Sequence, residues 1–265
     1  MISNGSAFRG RWALRALAGL VGFVASASPL VAQFAVSPVI VQMPLGESET
    51  ETRSIRIDNE GENAMQFRVY AMDFDQDRAG NHLFSQPGST SESCATRLSF
   101  APDALSVPAG GHAVVQVRLA AAADASTCWS MVFIEAPSAR ESMVQINQRI
   151  GVKIYGLGAP GETGGEMLAA EAHPVGDSVE VKFAFRNPGR WPLRPSGVVE
   201  VRDVTGEVVT TAAISPFSVL PGHDREVGVL VPVEGVPSGR YLAVPVLDFG
   251  ADFLAGAQID FRLPD

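Results

Sequence analysis

Apolar residues recur at every second position over much of this chain, and this alternation constrains the fold more than any other feature. It is present in RSIRID, QFRVYAM, AVVQVRL, VQINQRIGVKIY, SVEVKFAF, GVVEVRD and REVGVLVPV. A period of two places neighbouring side chains on opposite faces, which is typical of a half-buried β-strand. Gly and Pro separate these segments, and no long segment keeps a helical apolar period. The sequence therefore predicts an all-β protein.

The chain also repeats itself, which indicates two similar halves. A strand pattern ends in Asn-x-Gly at Asn59 in the first half and at Asn187 in the second. LSVPAGGHAVVQVRL (residues 105–119) resembles FSVLPGHDREVGVLV (residues 217–231). In both, a short strand leads through a Pro/Gly turn into a second strand. We expect two domains with the same plan.

The halves are joined by GLGAPGETGGEM, Gly156 to Met167, which has five Gly and one Pro and is typical of an exposed linker. Each half has room for about seven short strands, which favours two immunoglobulin-like β-sandwich domains. The predicted boundaries are 33–156 for the N-terminal domain and 157–265 for the C-terminal domain.

Residues 1–32 have the order of a cleavable signal peptide. Three arginines precede the apolar run Leu17 to Ala27, and small residues follow it. Cleavage after Ala27 or Ala32 fits equally well, and a retained single membrane anchor is the alternative reading. We expect an exported, periplasmic protein.

The net charge argues against polyanionic partners. It is −9 for the chain, and removal of residues 1–32 with their three arginines takes it to −12. Nucleic-acid phosphates and anionic lipid headgroups would be repelled by such a protein.

The chain has two cysteines, Cys94 and Cys128. In an exported protein such a pair predicts one disulfide, with two buried free thiols as the alternative. Trp129 follows Cys128 and is expected to pack in the core beside it. Trp191 lies in a polar turn region, where it either packs over the end of the second domain or serves as a contact residue.

The stretch DFDQDRAGNHLF, from Asp73 to Phe84, has alternating acids like a calcium loop. A helix-loop-helix calcium loop needs a glycine at position six and a bidentate Glu at position twelve, and here those positions are Arg78 and Phe84. A turn with Asp first and Gly three residues later explains the stretch better. The same Asp-x-x-Gly pattern recurs at Asp203, so we expect a strand-joining turn.

No pattern in the sequence indicates catalysis. His82, His112, His173 and His223 are far from one another and from the cysteines in the chain, and no nucleophile elbow, zinc-protease motif or phosphate loop is present. We expect a protein that is not an enzyme and that uses no cofactor, metal or nucleotide.

The segment FAVSPVIVQMPLGESETETRSIRIDNEGENAMQFRVYAMDF resembles the start of the periplasmic chaperones of pilus assembly. LSVPAGG and VQINQRIGVKIYG resemble later parts of the same domain, so that the resemblance covers most of residues 34–155. The second half shares the sandwich plan but looks more like a divergent branch.

This resemblance implies a mechanism of strand donation. The chaperone lends a long strand, here Met143 to Tyr155, to a pilin subunit that lacks its own last strand. Val144, Ile146 and Ile150 would present the apolar face. Lys153 matches the family lysine that holds the subunit's terminal carboxylate. The alternatives are ordinary core packing for the three apolar residues and a solvated strand residue for Lys153.

Two residues depart from the family pattern. The family uses a first-strand arginine beside its lysine, whereas Gln42 stands near that place and residues 34–43 contain no cation. Gln148 also interrupts the apolar face of the lending strand. The resemblance implies pilin or other envelope subunits as partners, together with an outer-membrane usher. The alternatives are a structural or adhesive envelope protein and, with fewer exposed aromatic residues than expected, a carbohydrate-binding module.

Overall fold

Every regular element of the described chain is a β-strand, except for one turn of 3-10 helix at Ala95–Arg97. The computed structural model describes residues 33–46, 50–121, 126–137, 147–159, 161 and 163–264. These residues all belong to the compact unit Gln33–Asp265. The predicted signal peptide lies outside the described residues. The all-β class predicted from the alternation is confirmed.

Ten strands form the first sandwich. They are β1 (Phe34–Ser37), β2 (Ile40–Pro44), β3 (Thr50–Asn59), β4 (Met65–Gln76), β5 (His82–Ser85), β6 (Leu98–Ala101), β7 (Ala104–Val107), β8 (His112–Ala120), β9 (Cys128–Ala136) and β10 (Gln148–Leu157). One sheet has the order β1-β3-β8-β6, and the other has the order β2-β10-β9-β4-β5, with β7 also paired to β4. Between the sheets lies an apolar core in which Ile55, Val117 and Ile134 are fully buried.

Eight strands form the second sandwich. They are β11 (Glu166–Val175), β12 (Ser178–Arg186), β13 (Ser196–Arg202), β14 (Val208–Ile214), β15 (Asp224–Pro232), β16 (Gly239–Asp248), β17 (Ala255–Gly256) and β18 (Ile259–Leu263). One sheet is β11-β12-β15, and the other is β14-β13-β16-β17, with β18 also paired to β16. A separate core contains Val181, Val199 and Leu247. Two sheets facing each other across one core, in each half, make a pair of immunoglobulin-like sandwiches.

The connection between the sandwiches is shorter than the sequence predicts. Strand β10 continues to Leu157 and β11 begins at Glu166, so residues 158–165 form the link instead of Gly156 to Met167. The Gly156 position is closely packed, because a Cβ there would lie 2.7 Å from Cys128 Sγ. Gly156, which the sequence places in an exposed linker, therefore belongs to β10 and permits close packing of strands there.

The first strand of the resemblance is in fact two strands in different sheets. β1 pairs antiparallel with β3, whereas β2 pairs parallel with β10. The break between them holds Pro38, which has no N–H to donate to a ladder. The buried positions change from even to odd across this break, from Phe34 and Val36 to Val41 and Met43, as the chain passes from one sheet to the other.

The internal repeat is confirmed by two equivalent buried asparagines. Asn59 Nδ2 donates to the carbonyl of Val107 at 3.0 Å, and Asn187 Nδ2 donates to the carbonyl of Val219 at 3.0 Å. Each asparagine also accepts the N–H of the glycine two residues later, at 3.0 and 2.9 Å. Because a buried amide without partners would be costly, these bonds fix the same corner in both sandwiches.

The prediction of paired Asp-x-x-Gly turns is also confirmed. The N–H of Gly80 donates to Asp77 O at 2.9 Å, and the N–H of Gly206 donates to Asp203 O at 3.0 Å. Each aspartate carboxylate accepts an amide N–H four residues later, at 2.8 and 3.0 Å. The two glycines have φ values of +85° and +90°, which other L-residues rarely adopt.

The predicted disulfide joins Cys94 to Cys128 and ties the 3-10 turn to the start of β9. Trp129 is buried as predicted, and its Nε1 donates to Phe74 O at 3.1 Å. Trp191 is partly exposed, and its Nε1 donates to Gly158 O at 3.1 Å in the link between the sandwiches.

Candidate functional site

A cleft of about 570 Å³ lies where the two sandwiches meet, beside strand β10. Apolar side chains such as Ile40 and Phe133 form much of its wall. Its cationic groups are Lys153, Arg194 and Arg225, and none of the described residues that line it is acidic. In a chain with a net charge of −9, this concentration of positive charge creates a local attraction for an anionic group.

Lys153 reaches the cleft from β10, at the point where β2 begins to pair with that strand. Its Nζ donates to Ser218 Oγ of the second sandwich at 3.2 Å. Burial, followed by the charges of Arg194 and Arg225, lowers the pKa of Lys153. The charged form of Lys153 is therefore disfavoured in the free protein, and an anion bound in the cleft would stabilise it.

Among the residues that the structure describes, one edge of β10 is open over part of its length. β9 pairs with β10 along nearly all of it, but β2 pairs only from Lys153 onward. Among the described strands, none pairs with that edge over residues 148–152. The Lys153 N–H points toward β2 and donates to Val39 O at 3.0 Å. Because backbone groups alternate sides along a strand, those of Gly151 and Arg149 face the open edge.

Arg225 enters the cleft from the second sandwich and is held by backbone carbonyls. Its Nη1 donates to Arg78 O at 3.1 Å and to Glu226 O at 3.0 Å. Its Nε is buried without a hydrogen-bond partner, as is Nε2 of His82, which also lines the cleft. Burial lowers the pKa of Arg225, and the nearby charge of Asp77 opposes this change.

The turn between β4 and β5 holds the second sandwich against the first. His223 Nε2 lies 2.6 Å from Asp75 Oδ1, and the N–H of Glu226 donates to Arg78 O at 2.7 Å. The Arg78 and Glu226 side chains also form an ion pair at 3.2 Å. The sequence predicts the turn but not this contact, since nothing local in the sequence marks a residue that touches a distant strand.

The three alternating acids of this stretch have separate partners. Asp73 is fully buried and accepts the backbone N–H groups of Ser89 and Thr90 at 2.7 and 3.1 Å. Asp75 contacts His223, and Asp77 closes its own turn. The acids therefore support loops and the contact between sandwiches.

The predicted binding residues are only partly brought together. Lys153 lies in the cleft, whereas Gln42 is exposed, pairs with Tyr155 and is not part of the cleft lining. Ile150 is half-buried and packs against the first core. Val144 and Ile146 lie outside the described residues.

Two further cations of the cleft, Arg194 and Arg225, are not among the residues predicted from the sequence. Arg194 lies beyond Trp191 in the polar turn region, and Arg225 lies in the second copy of the repeat, where the first copy has Ala113. This difference between the two copies of the repeat marks Arg225 as unusual, but it does not indicate which distant residues the arginine contacts.

Within the described ranges, no three His, Cys, Asp or Glu side chains are grouped so that they could hold a metal ion. Among the same residues, no helix is long and apolar enough to cross a membrane.

Comparison with known proteins gives matches only among solved structures. No family model matches the chain, and no curated protein matches it. A complex of the CsuC chaperone with the CsuE tip subunit, from the archaic chaperone-usher Csu pili of Acinetobacter baumannii, matches at 12% identity and a TM-score of 0.46, covering 86% of this chain and 98% of the other.

Two further matches have similar coverage. The SafA pilin in complex with the SafB chaperone of Salmonella enterica matches at 12% identity and a TM-score of 0.42, over 89% and 99% of the chains. The CupB2 chaperone of Pseudomonas aeruginosa matches at 14% identity and a TM-score of 0.39, over 87% and 100% of the chains. Each of the three is a chaperone or a complex that contains one.

Proposed function

We propose that this chain is an exported, periplasmic, chaperone-like protein that binds and caps pilus or other envelope subunits by strand donation. The observation that carries the proposal is the open edge of β10 at residues 148–152, which ends at the cationic cleft. An incoming strand would continue the line of β2 and pair with the free backbone groups of Arg149 and Gly151.

In this mechanism the strand from Met143 to Tyr155 fills the apolar groove of a subunit. Val144 and Ile146 supply the alternating side chains, Ile150 continues that face into the first core, and Lys153 holds the terminal carboxylate by a charge-assisted hydrogen bond. Capping also covers the subunit's exposed groove, which would otherwise promote aggregation. The chemistry is binding alone, without cofactor, nucleotide or catalysis. An outer-membrane usher would receive the complex.

Substitution of Arg149 by proline or by alanine distinguishes the contribution of its backbone N–H to binding from that of its side chain. Arg149→Pro removes the N–H that faces the open edge and leaves the bonds to β9 intact, so the domain should fold, as edge prolines do. Arg149→Ala keeps that N–H. We expect Arg149→Ala to bind co-expressed pilin subunits encoded by neighbouring genes, and Arg149→Pro to lose most of the complex, with unchanged circular dichroism for both.

Recovery of the same amount of complex with folded Arg149→Pro would contradict strand addition at this edge. A protein whose neighbouring genes encode no usher or pilin, and which binds no such subunit, would instead be a structural or adhesive envelope protein.

A further inference from the structure

We infer that Leu220 of the second sandwich is a positioning residue for subunit binding, which holds strand β10 in place without touching the subunit. Leu220 lies in the turn that precedes β15 and is only 1% exposed, so an added strand cannot reach it. The inference rests on the proposed strand addition and gives the second sandwich a role in it.

The internal repeat shows that the turn does not need Leu220 in order to form. The N–H of His223 donates to Leu220 O at 3.1 Å, and in the first sandwich the N–H of Gly111 donates to Pro108 O at 3.0 Å. Pro108 is therefore the counterpart of Leu220, and it is exposed. Since the first sandwich makes the same turn with no buried side chain at this place, the burial of Leu220 serves another purpose.

Leu220 packs against the first sandwich. It belongs to a cluster whose other described members all come from that sandwich, and the buried ones are Phe74, Trp129, Met131, Phe133 and Tyr155. Val132 and Ile134 alternate with the β9 members and point into the first core, so the cluster lies on the outer face of the sheet. Leu220 thus contacts the sheet of β4, β9 and β10 from outside.

Polar contacts hold both ends of the same turn. Ser218 Oγ accepts a hydrogen bond from Lys153 Nζ of β10 at 3.2 Å. His223 Nε2 lies 2.6 Å from Asp75 Oδ1 of β4. The segment from Ser218 to His223 therefore contacts the first sandwich on either side of Leu220, and we call this segment the anchor turn.

The anchor turn fixes one part of β10 and leaves another part available. Lys153 and Tyr155 are held from the outer face, whereas residues 148–152 keep the open edge. A strand adds more tightly to an edge that is already ordered, because less conformational entropy is lost on binding. Leu220 therefore raises the affinity for a subunit by ordering β10.

Hydrogen exchange of the free protein tests this role without a subunit. Leu220→Ala should speed exchange at the amides of Ile154 and Gly156 at least about tenfold, because β10 would open locally more often. The amides of Val115 and Val117 lie in the other sheet of the first sandwich and should accelerate less. Equal acceleration in both sheets would mean that Leu220 adds only global stability, and it would overturn the inference.

Binding of a co-expressed pilin subunit tests the effect on function. Leu220→Ala should weaken the complex about tenfold, which corresponds to a fall of the binding-competent fraction to about one tenth. Leu220→Met conserves the volume and should restore wild-type affinity. The matched control is Val219→Ala, because Val219 is the neighbouring buried residue but faces the second core. It should destabilise the second sandwich and leave binding unchanged.

His223→Ala is a second, milder variant, which tests the anchor turn even where Leu220→Ala does not fold. It removes the contact with Asp75 and should speed exchange at Ile154 and weaken the complex, each by less than Leu220→Ala.

Wild-type affinity in folded Leu220→Ala would overturn the inference, as would equal weakening by Val219→Ala. So would wild-type exchange and binding in His223→Ala. A wild-type protein that binds no pilin subunit would contradict the proposed function instead, and the exchange rates at Ile154 and Gly156 would still decide whether Leu220 orders β10.

Discussion

The guanidinium of Arg225 lies directly against the backbone of Gly80, so closely that a Cβ at position 80 would overlap the guanidinium carbon. The glycine belongs to the β4–β5 turn of the first sandwich, and the arginine belongs to β15 of the second. The absence of a side chain at this position is what lets the arginine reach the cleft. The Asp-x-x-Gly turn thus has a role in the site beyond joining two strands.

Gly80→Ala should therefore cost more than its counterpart Gly206→Ala. Both glycines have positive φ, where alanine costs roughly 1–2 kcal/mol. A Cβ at Gly206 meets nothing within 4 Å, whereas one at Gly80 displaces Arg225. Urea unfolding should show the larger loss of stability for Gly80→Ala. Equal losses of stability in the two variants would show that the contact between Gly80 and Arg225 is unimportant.

His82 should make stability depend on pH below neutrality. Burial, with the charges of Lys153 and Arg225, lowers its pKa from the ordinary 6.5. The unfolded chain then binds more protons than the folded protein, so stability falls as pH falls below about 6.5 and is regained above it. His82→Gln should lose less stability than the wild type between pH 7 and pH 5 in thermal unfolding. Identical losses would mean that other groups control this range.

Lys153→Met should stabilise the free protein while it weakens subunit binding. The folded pKa of Lys153 lies below the ordinary 10.5, so the charged form is disfavoured by folding. The free-energy cost of keeping Lys153 charged in the folded protein is therefore full at neutral pH. It disappears as pH rises from the folded pKa to 10.5. Each 1 kcal/mol removed would raise Tm by about 2–4 °C. A lower Tm for Lys153→Met at pH 7 would mean that the ammonium stabilises the free cleft.

Protein taken from the periplasm should contain the bond between Cys94 and Cys128. The two residues are 34 apart, and closing a loop of this length contributes about 3–4 kcal/mol in the chain-entropy model. Mass spectrometry of non-reduced peptides should find the two linked, and a double alanine variant should melt at a lower temperature. Two free thiols in periplasmic protein would contradict this.

The sequence predicted those parts of the fold that depend on local patterns. Alternation identified strands because burial of one face has a period of two, and the repeat located Asn59 and Asn187 because both serve the same corner. The change of sheet at Pro38 was missed, since alternation does not say which neighbour a strand will have.

The candidate site was predictable only where it lies on one strand. Lys153 was found through its place in a long strand that resembles a known one. Arg225 was not, because its approach to Lys153 depends on how β15 of one sandwich meets the β4–β5 turn of the other. Contacts of this kind arise from packing between distant segments, for which a single sequence carries no periodic signal.

The most direct test of the account is hydrogen exchange at the open edge of β10 in a complex with a pilin subunit. The amides of Arg149 and Gly151 should exchange quickly in the free protein and slowly in the complex, since an added strand would accept their hydrogen bonds. The amides of Ile150 and Val152, which face β9, should be protected in both states. A stable complex in which Arg149 and Gly151 still exchange as fast as in the free protein would contradict strand donation by this chain.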